Sequence, residues 1–150
     1  MNAVAQFVAV GGLSLAAAGV TWLAKGRPSV PEPKVVECDS SLLKDDEICL
    51  ADVPQDVLWI DARPRSEWEI NGLDDSVLWN LDPKEDNQAL EAGAAASIFE
   101  SGASLVVVYC GSEACGTSKI IADRVRTLNL GPSVKVLYGG WDALLFRDSN

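Results

Sequence analysis

The feature that most constrains the fold is an apolar run, Leu105–Tyr109, followed at once by Cys110 and a short loop of small residues. A continuous apolar, β-branched run of this length is typical of a buried strand. A helix is predicted over Thr117–Leu128, with Thr117 or Ser118 as its N-cap. Its apolar positions fall at helical spacing: Ile121, Val125 and Leu128. The sequence therefore predicts a strand, a tight loop and a helix start, with a thiol where the strand ends.

The thiol of Cys110 is the predicted nucleophile. At this position it would face loop amides and the positive end of a helix dipole, and both favour thiolate over thiol. The chain contains no histidine. This absence excludes imidazole as a general base, as a member of a catalytic triad and as a metal ligand.

Strand-like and helical stretches alternate along the chain. Further strands are predicted at Val57–Ile60, Val77–Trp79 and Val134–Tyr138. Ser66 is expected to cap a short helix, residues 84–100 form an Ala-rich helical stretch, and a last short helix ends at Phe146. This alternation predicts an α/β fold with a parallel sheet and helices on both faces. Sites in such sheets form at the carboxyl ends of strands, where Cys110 stands.

The N-terminal segment is long and apolar enough to cross a bilayer. Residues 3–24 are apolar or small almost throughout, and no charged side chain precedes Lys25. We expect a retained transmembrane helix over residues 1–25, because a cleaved signal peptide would carry a positive charge before its apolar run. Lys25 and Arg27 directly follow the span, which favours a single-pass protein with its domain on the cytoplasmic side.

The rest of the chain divides into a linker and one domain. Residues 26–45 contain three prolines that prevent a continuous helix, and they are predicted to form the linker and the start of the domain. Residues 46–148 are predicted to form the domain itself. The chain carries 22 acidic and 12 basic residues, a formal net charge of −10. Such an acidic surface repels phosphate backbones, so no nucleic-acid partner is expected.

Cysteine spacing argues against a zinc site. The four cysteines are Cys38, Cys49, Cys110 and Cys115. The last two enclose four residues, and no other soft ligands lie near them in the sequence. Neither a metal nor a cofactor is expected. Cys38 and Cys49 are expected to be free thiols, with a disulfide as the alternative if this part of the chain is exported.

Short signatures resemble the rhodanese family of sulfurtransferases over roughly residues 48–146. In chain order they are Asp61-Ala62-Arg63 after an apolar strand, Glu67-Trp68, Val108-Tyr109-Cys110, and Leu137-Tyr138-Gly139-Gly140-Trp141. The resemblance implies a rhodanese-like parallel sheet and a catalytic Cys110. That cysteine would take sulfane sulfur from a small donor, become a persulfide and pass the sulfur to a thiol or another nucleophile. The expected enzyme is a membrane-anchored sulfurtransferase, similar to thiosulfate sulfurtransferases.

The resemblance also assigns a role to the loop after Cys110, whose amides would surround the persulfide. The loop residues are Gly111, Ser112, Glu113, Ala114, Cys115 and Gly116. Gly111 and Gly116 are expected to permit backbone angles that point N–H groups inward. Glu113 opposes an anionic donor, so thiosulfate is expected to be a poor one. Gly116 stands where related phosphatases need an arginine, which disfavours phosphate chemistry.

Two residues have alternative interpretations. Cys115 is either a resolving thiol that forms a disulfide with Cys110, or a small residue that packs under the loop. Arg63 either contacts substrate or forms a structural ion pair with Asp61 and Glu67, and the structural role is favoured. The alternative function is a non-catalytic or thiol-redox interaction module that uses Cys110 and Cys115.

Overall fold

The computed structural model describes residues 36–112 and 115–145. The strands are β1 Glu47–Ile48, β2 Val57–Asp61, β3 Val77–Leu78, β4 Leu105–Tyr109 and β5 Ser133–Leu137. The α-helices are α1 Arg65–Asn71, α2 Asn87–Ser101, α3 Thr117–Leu128 and α4 Trp141–Leu144, and Leu50–Asp52 is a 3₁₀ turn. The strands form one parallel sheet in the order β1-β5-β4-β2-β3. The predicted α/β fold with a parallel sheet is confirmed.

Central strand β4 is buried at every position. Its alternate side chains enter two hydrophobic clusters, as the pleat of a strand requires. One cluster combines Val106, Val108 and Cys110 with buried residues of α2 and α3. The other combines Leu105, Val107 and Tyr109 with residues of the 3₁₀ turn and α4. Two long helices therefore cover one face of the sheet and short elements cover the other.

The register of β2 and β4 determines which side chains meet at the edge of the sheet. Asp61 pairs with Tyr109, and the next amide, that of Ala62, donates to the carbonyl of Tyr109 at 2.8 Å. Both strands end at this level. Asp61, Arg63 and Cys110 consequently lie at the same carboxyl edge of the sheet, where ligand sites of parallel sheets form.

The predicted helix caps are wrong. Helix α1 begins at Arg65 with Pro64 as N-cap, and Ser66 lies inside its first turn. Helix α3 begins at Thr117 with Gly116 as N-cap and has no side-chain cap. The physical reason for α3 is that the hydroxyl of Ser118 is buried against the sulfur of Cys110, away from the position of a cap.

Cys38 and Cys49 are joined by a disulfide, so the expectation of free thiols is wrong for this pair. The chain between them turns back on itself before β1, which brings their Cα atoms to 5.8 Å. That separation lies in the usual range for disulfides. Sequence spacing could not show this reversal, because it depends on how the segment before β1 packs.

The predicted anchor over residues 1–25 lies outside the described residues, as do the first half of the predicted linker, Glu113, Ala114 and Phe146. Within residues 36–112 and 115–145, no helix has the length and apolar character that crossing a membrane requires.

Candidate functional site

The candidate site is built around Cys110, the first residue after β4. Only 1% of Cys110 is exposed, and it belongs to the cluster beneath α3. Because Cys110 faces the start of α3, its sulfur lies near the positive end of that helix dipole. The strand–loop–helix unit therefore places a sulfur atom at the carboxyl edge of the sheet.

The sulfur of Cys110 is bonded to that of Cys115 in a disulfide. Three oxygen atoms lie close to Cys110 Sγ: the carbonyl oxygens of Ser112 at 3.5 Å and Cys115 at 3.4 Å, and the hydroxyl of Ser118 at 3.3 Å. Carbonyl oxygens disfavour negative charge on a neighbouring atom, whereas a hydroxyl can donate to it. This loop conformation thus suits the uncharged, oxidised sulfur, and Ser118 is placed to stabilise a charged one.

The two sulfur-bearing residues differ in accessibility. Cys110 is almost fully buried, whereas Cys115 is half-buried and packs at the margin of the same cluster. Ser118 is 2% exposed, and its hydroxyl also lies 3.4 Å from the carbonyl oxygen of Cys115. An external thiol therefore reaches the disulfide more easily at Cys115 than at Cys110.

A glycine turn between β5 and α4 supports the backbone of Cys110. The amide of Trp141 donates to the carbonyl oxygen of Cys110 at 2.6 Å. Gly139 and Gly140 have φ angles of 78° and 57°, in the left-handed region. A Cβ atom on Gly140 would lie 2.4 Å from that same carbonyl oxygen. The close approach requires glycine, which gives a physical reason for the Gly-Gly-Trp signature.

Arg63 is buried at the end of β2, with 2% exposure. Its Nη2 lies 2.7 Å from Asp61 Oδ2, and its Nε donates to both oxygens of that carboxylate at 3.1 Å. Nη1 donates to Asn71 Oδ1 at 3.0 Å and lies 3.9 Å from Glu67 Oε2. Burial opposes the charge of Arg63, but the hydrogen bonds and charge of Asp61 outweigh it and raise the pKa of Arg63. All these contacts are within the protein, as expected for a structural ion pair.

Arg63 connects the ion pair to the glycine turn. Its guanidinium carbon lies 3.8 Å from the centre of the Trp141 ring, a cation–π contact. The Trp141 ring in turn stacks on Tyr109, with ring centres 5.9 Å apart. Since the amide of Trp141 holds the carbonyl of Cys110, Arg63 is a positioning residue for the candidate nucleophile.

Tyr109 completes this buried network. Its hydroxyl donates to Asp61 Oδ2 at 2.8 Å, and the amide of Leu73 approaches the hydroxyl at 3.5 Å. The hydroxyl of Ser76 lies 3.4 Å away and accepts from Trp68 Nε1 at 3.1 Å. Burial, followed by the nearby Asp61 carboxylate, raises the pKa of Tyr109 to about 12. Tyr109 is therefore neutral at physiological pH and is a hydrogen-bond donor.

A lysine in the first turn of α3 forms an ion pair with a residue of β1 and not with the disulfide. Lys119 Nζ lies 3.0 Å from Glu47 Oε1 in β1. The hydrogen bond to Glu47 and its charge raise the pKa of Lys119. This cation links α3 to the edge strand β1.

The loop glycines Gly111 and Gly116 do not have left-handed backbone angles. Gly116 has a φ of −77°, and the glycines with left-handed φ in the described residues do not include Gly111. Near Cys110, the glycines with left-handed φ are Gly139 and Gly140 of the neighbouring turn. The amide cradle implied by the family resemblance stays a prediction, since Glu113 and Ala114 lie outside the described residues.

Sequence reasoning missed the roles of Ser118 and Tyr109. The sequence predicts Ser118 as a possible helix cap, although its position in the first turn of an amphipathic helix, on the same face as Ile121 and Val125, is a signal for burial. For Tyr109 the sequence predicts only a place at the end of an apolar strand. Its alternation with Val108 places it on the opposite face from Cys110, with Asp61.

A separate cavity of about 730 Å³ lies beside the Cys38–Cys49 disulfide. It is lined mainly by the segment around the 3₁₀ turn and by residues of β2, including Trp59. Cys110 is not among its lining residues. No group of three or more metal-ligating side chains occurs in the described parts of the chain.

Comparisons with known proteins bear on the family and the fold. The sequence model of the Rhodanese-like domain family matches residues 43–145. No curated protein matches the chain. The N-terminal domain of a Clostridium difficile 630 protein named for ATP/GTP binding is similar in structure, with a TM-score of 0.50 and 17% identity over 66% of this chain and 95% of that one. As–Sb reductase from Leishmania major gives a TM-score of 0.48 and 22% identity over 63% of this chain and 66% of that one. At these identities, the similarity of the first structure bears on the fold alone.

Proposed function

This chain belongs to the rhodanese-like domain family, and from that premise we propose that it is a sulfurtransferase that carries sulfane sulfur on Cys110. The observation that carries the proposal is the position of Cys110 Sγ, at the carboxyl end of β4 and beside the first turn of α3. A sulfur atom in this position is stabilised as thiolate or persulfide by the helix dipole. No imidazole is needed, because an attacking thiolate carries its own charge.

The proposed reaction has two displacement steps. The thiolate of Cys110 attacks the outer sulfur of a small sulfane donor, a new S–S bond forms, and the remainder of the donor leaves with the electron pair. A thiolate acceptor then attacks the outer sulfur of the Cys110 persulfide, and Cys110 leaves as thiolate. The disulfide with Cys115 must be reduced before the first step, since a disulfide sulfur at Cys110 is not a nucleophile.

The test is intact-mass measurement of the reduced, desalted full chain after exposure to thiosulfate, glutathione persulfide or 3-mercaptopyruvate. We expect an added sulfur atom on Cys110 of Cys115→Ser with at least one donor, and least with thiosulfate. Adding Cys110→Ser to this variant is expected to abolish the adduct, and adding Cys38→Ser/Cys49→Ser to leave it unchanged. The proposal fails if neither the natural sequence nor Cys115→Ser gains sulfur from any donor.

A second candidate function is a thiol-redox module, favoured by the Cys110–Cys115 disulfide itself. In that case the pair would cycle between dithiol and disulfide without any sulfur transfer. The expected result is complete, reversible formation of this bond with diamide, together with no sulfur adduct on Cys115→Ser. Free thiols at both positions after diamide treatment would contradict it.

The partners proposed for sulfur transfer are a small sulfur donor and a thiol acceptor. A membrane partner through residues 1–25 is also proposed, on the sequence of that segment.

A further inference from the structure

We propose that Cys115 discharges the persulfide of Cys110 as hydrosulfide, and that a dithiol then regenerates the pair by entering at Cys115. This inference rests on the proposed sulfur transfer. The domain would then have a further activity, the reduction of sulfane sulfur to sulfide. Its partner would be a dithiol, either a small molecule or a protein.

The first step follows from the bond between the two sulfur atoms. Cys115 Sγ reaches Cys110 Sγ, which is the inner sulfur of a persulfide on Cys110. The Cys115 thiolate attacks this inner sulfur, the Cys110–Cys115 bond forms, and the outer sulfur leaves as hydrosulfide with the electron pair of the broken bond. The sulfane sulfur gains two electrons, and the two thiols become one disulfide.

Burial favours this internal route over an external acceptor. Cys110 is 1% exposed, which restricts access of large thiols to the persulfide. Cys115 is separated from it by five positions and already lies within bonding reach. An intramolecular nucleophile held in this way has a high effective concentration.

The second step has a direction that the structure determines. An incoming thiolate reaches the half-buried Cys115 more easily than Cys110. Attack at Cys115 makes Cys110 the leaving thiolate, with the hydroxyl of Ser118 at 3.3 Å to donate to it and the start of α3 beside it. The second thiol of the dithiol then releases Cys115 as thiolate, and the dithiol becomes a disulfide. Ser118 is therefore a positioning residue for the return of Cys110 to its reactive form.

The experiment loads the reduced, desalted full chain with less than one equivalent of glutathione persulfide. Hydrosulfide is trapped with monobromobimane, and the protein is followed by intact mass. For the natural sequence we expect hydrosulfide in proportion to the sulfur added, the Cys110–Cys115 disulfide, and no lasting persulfide. Cys115→Ser and Cys115→Ala are expected to keep the persulfide and to release no hydrosulfide above the background set by Cys110→Ser.

The outcomes separate this inference from the proposed function. If the Cys115 variants gain sulfur but the natural sequence keeps its persulfide equally long, the inference is overturned and sulfur transfer stands. If neither the natural sequence nor either Cys115 variant gains sulfur from any donor, and no hydrosulfide is released above background, both fall.

The direction of regeneration has its own readouts. Glutathione added to the oxidised protein is expected to form a mixed disulfide at Cys115, and a mixed disulfide at Cys110 would overturn the proposed direction. Reduction by dithiothreitol is expected to be roughly tenfold slower in Ser118→Ala, the loss of about one hydrogen bond, with rescue by Ser118→Thr. An unchanged rate in Ser118→Ala would overturn the role of Ser118.

Discussion

Arg63 and Asp61 form the principal buried ion pair at the carboxyl edge of the sheet. Both residues are almost fully buried, and their side chains make several direct hydrogen bonds. Removing one partner of such a pair leaves an uncompensated charge in the interior, which costs more than the pair itself contributes. Losing either residue alone is therefore expected to destabilise the folded protein more than losing both charges.

Arg63→Met is expected to lower the free energy of unfolding by about 3–5 kcal/mol, because it leaves the Asp61 carboxylate buried without its cation. Asp61→Asn removes that charge, so the double variant is expected to lose less than the sum of the two single variants. Urea unfolding of all four proteins measures this coupling. Strict additivity would show that the two groups do not interact in the folded state.

The raised pKa of Tyr109 predicts a loss of stability at high pH. Its pKa is raised from 10.0 to about 12 in the folded protein, first by burial. Between these values the unfolded state has lost the proton and the folded state has kept it, so stability falls as pH rises from 10 towards 12. The loss due to Tyr109 is expected to be about 1.4 kcal/mol at about pH 11 relative to neutral pH. Urea unfolding at both pH values measures it, and Tyr109→Phe is expected to lack this component. An equal loss in that variant would contradict the assignment.

Contacts between single residues could be predicted from the sequence only where the partners lie close together in the chain. The pairing of Arg63 with Asp61 was favoured because the two stand two positions apart in a recognisable pattern. The bond from Tyr109 to Asp61 spans 48 positions and follows only from the register of β2 and β4. Likewise, serine is a residue type that often caps helices, and only the packing of α3 shows that the Ser118 hydroxyl faces the sulfur of Cys110.

At the element scale, the turn from β5 into α4 determines where Cys110 stands. It combines two left-handed glycines with an amide that binds the carbonyl of Cys110. The ring of Trp141 extends the contact to Arg63. Three separate signatures of the sequence, which follow β2, β4 and β5, thus meet through this one turn.

Gly140→Ala is expected to destabilise the protein by at least about 2 kcal/mol, because the new Cβ would lie 2.4 Å from the carbonyl oxygen of Cys110 and the backbone has a φ of 57°. Gly111→Ala is the matched control. A Cβ there meets no atom within 4 Å, so a change within about 0.5 kcal/mol is expected. Chemical denaturation of both variants measures the difference. Equal effects would show that the turn does not need glycine at 140.

The elements themselves were largely predictable, because their patterns are local. Helix α3 has the predicted bounds, and β4 covers the predicted apolar run Leu105–Tyr109. The predicted caps are wrong, because a cap depends on where a single side chain points. The short strand β1 is held by pairing with β5, a contact of distant parts of the chain.

At the scale of the whole molecule, the Cys38–Cys49 disulfide fastens the segment before β1. It closes a loop across 11 positions. Cys38→Ser/Cys49→Ser is expected to lower the free energy of unfolding by about 2–3 kcal/mol under oxidising conditions, chiefly through the entropy of the unfolded chain. Guanidinium unfolding measures this effect. The control repeats the comparison in dithiothreitol, where the difference should vanish, and a difference that persists would assign the effect to packing.

Two features give opposite indications of the side of the membrane on which the domain lies. Lys25 and Arg27 behind the proposed anchor favour the cytoplasmic side, which we propose. A structural disulfide such as Cys38–Cys49 is typical of oxidising compartments.

Membrane fractionation and protease treatment of right-side-out vesicles decide the placement. We expect the full chain in the membrane fraction and its domain protected from added protease. Digestion of the domain by the added protease would reverse the proposed orientation. Recovery of the chain in the soluble fraction would remove the anchor.

Both outer strands of the sheet, β1 and β3, contain two residues each. A parallel sheet with long open margins offers a row of unpaired amides and carbonyls to any other chain that meets it. Here each edge strand offers very few unpaired amides and carbonyls, while the longer strands lie in the interior of the sheet. A second copy of the chain therefore finds few backbone groups with which to pair. The short edge strands disfavour intermolecular strand addition, which is the first step towards fibrillar aggregates.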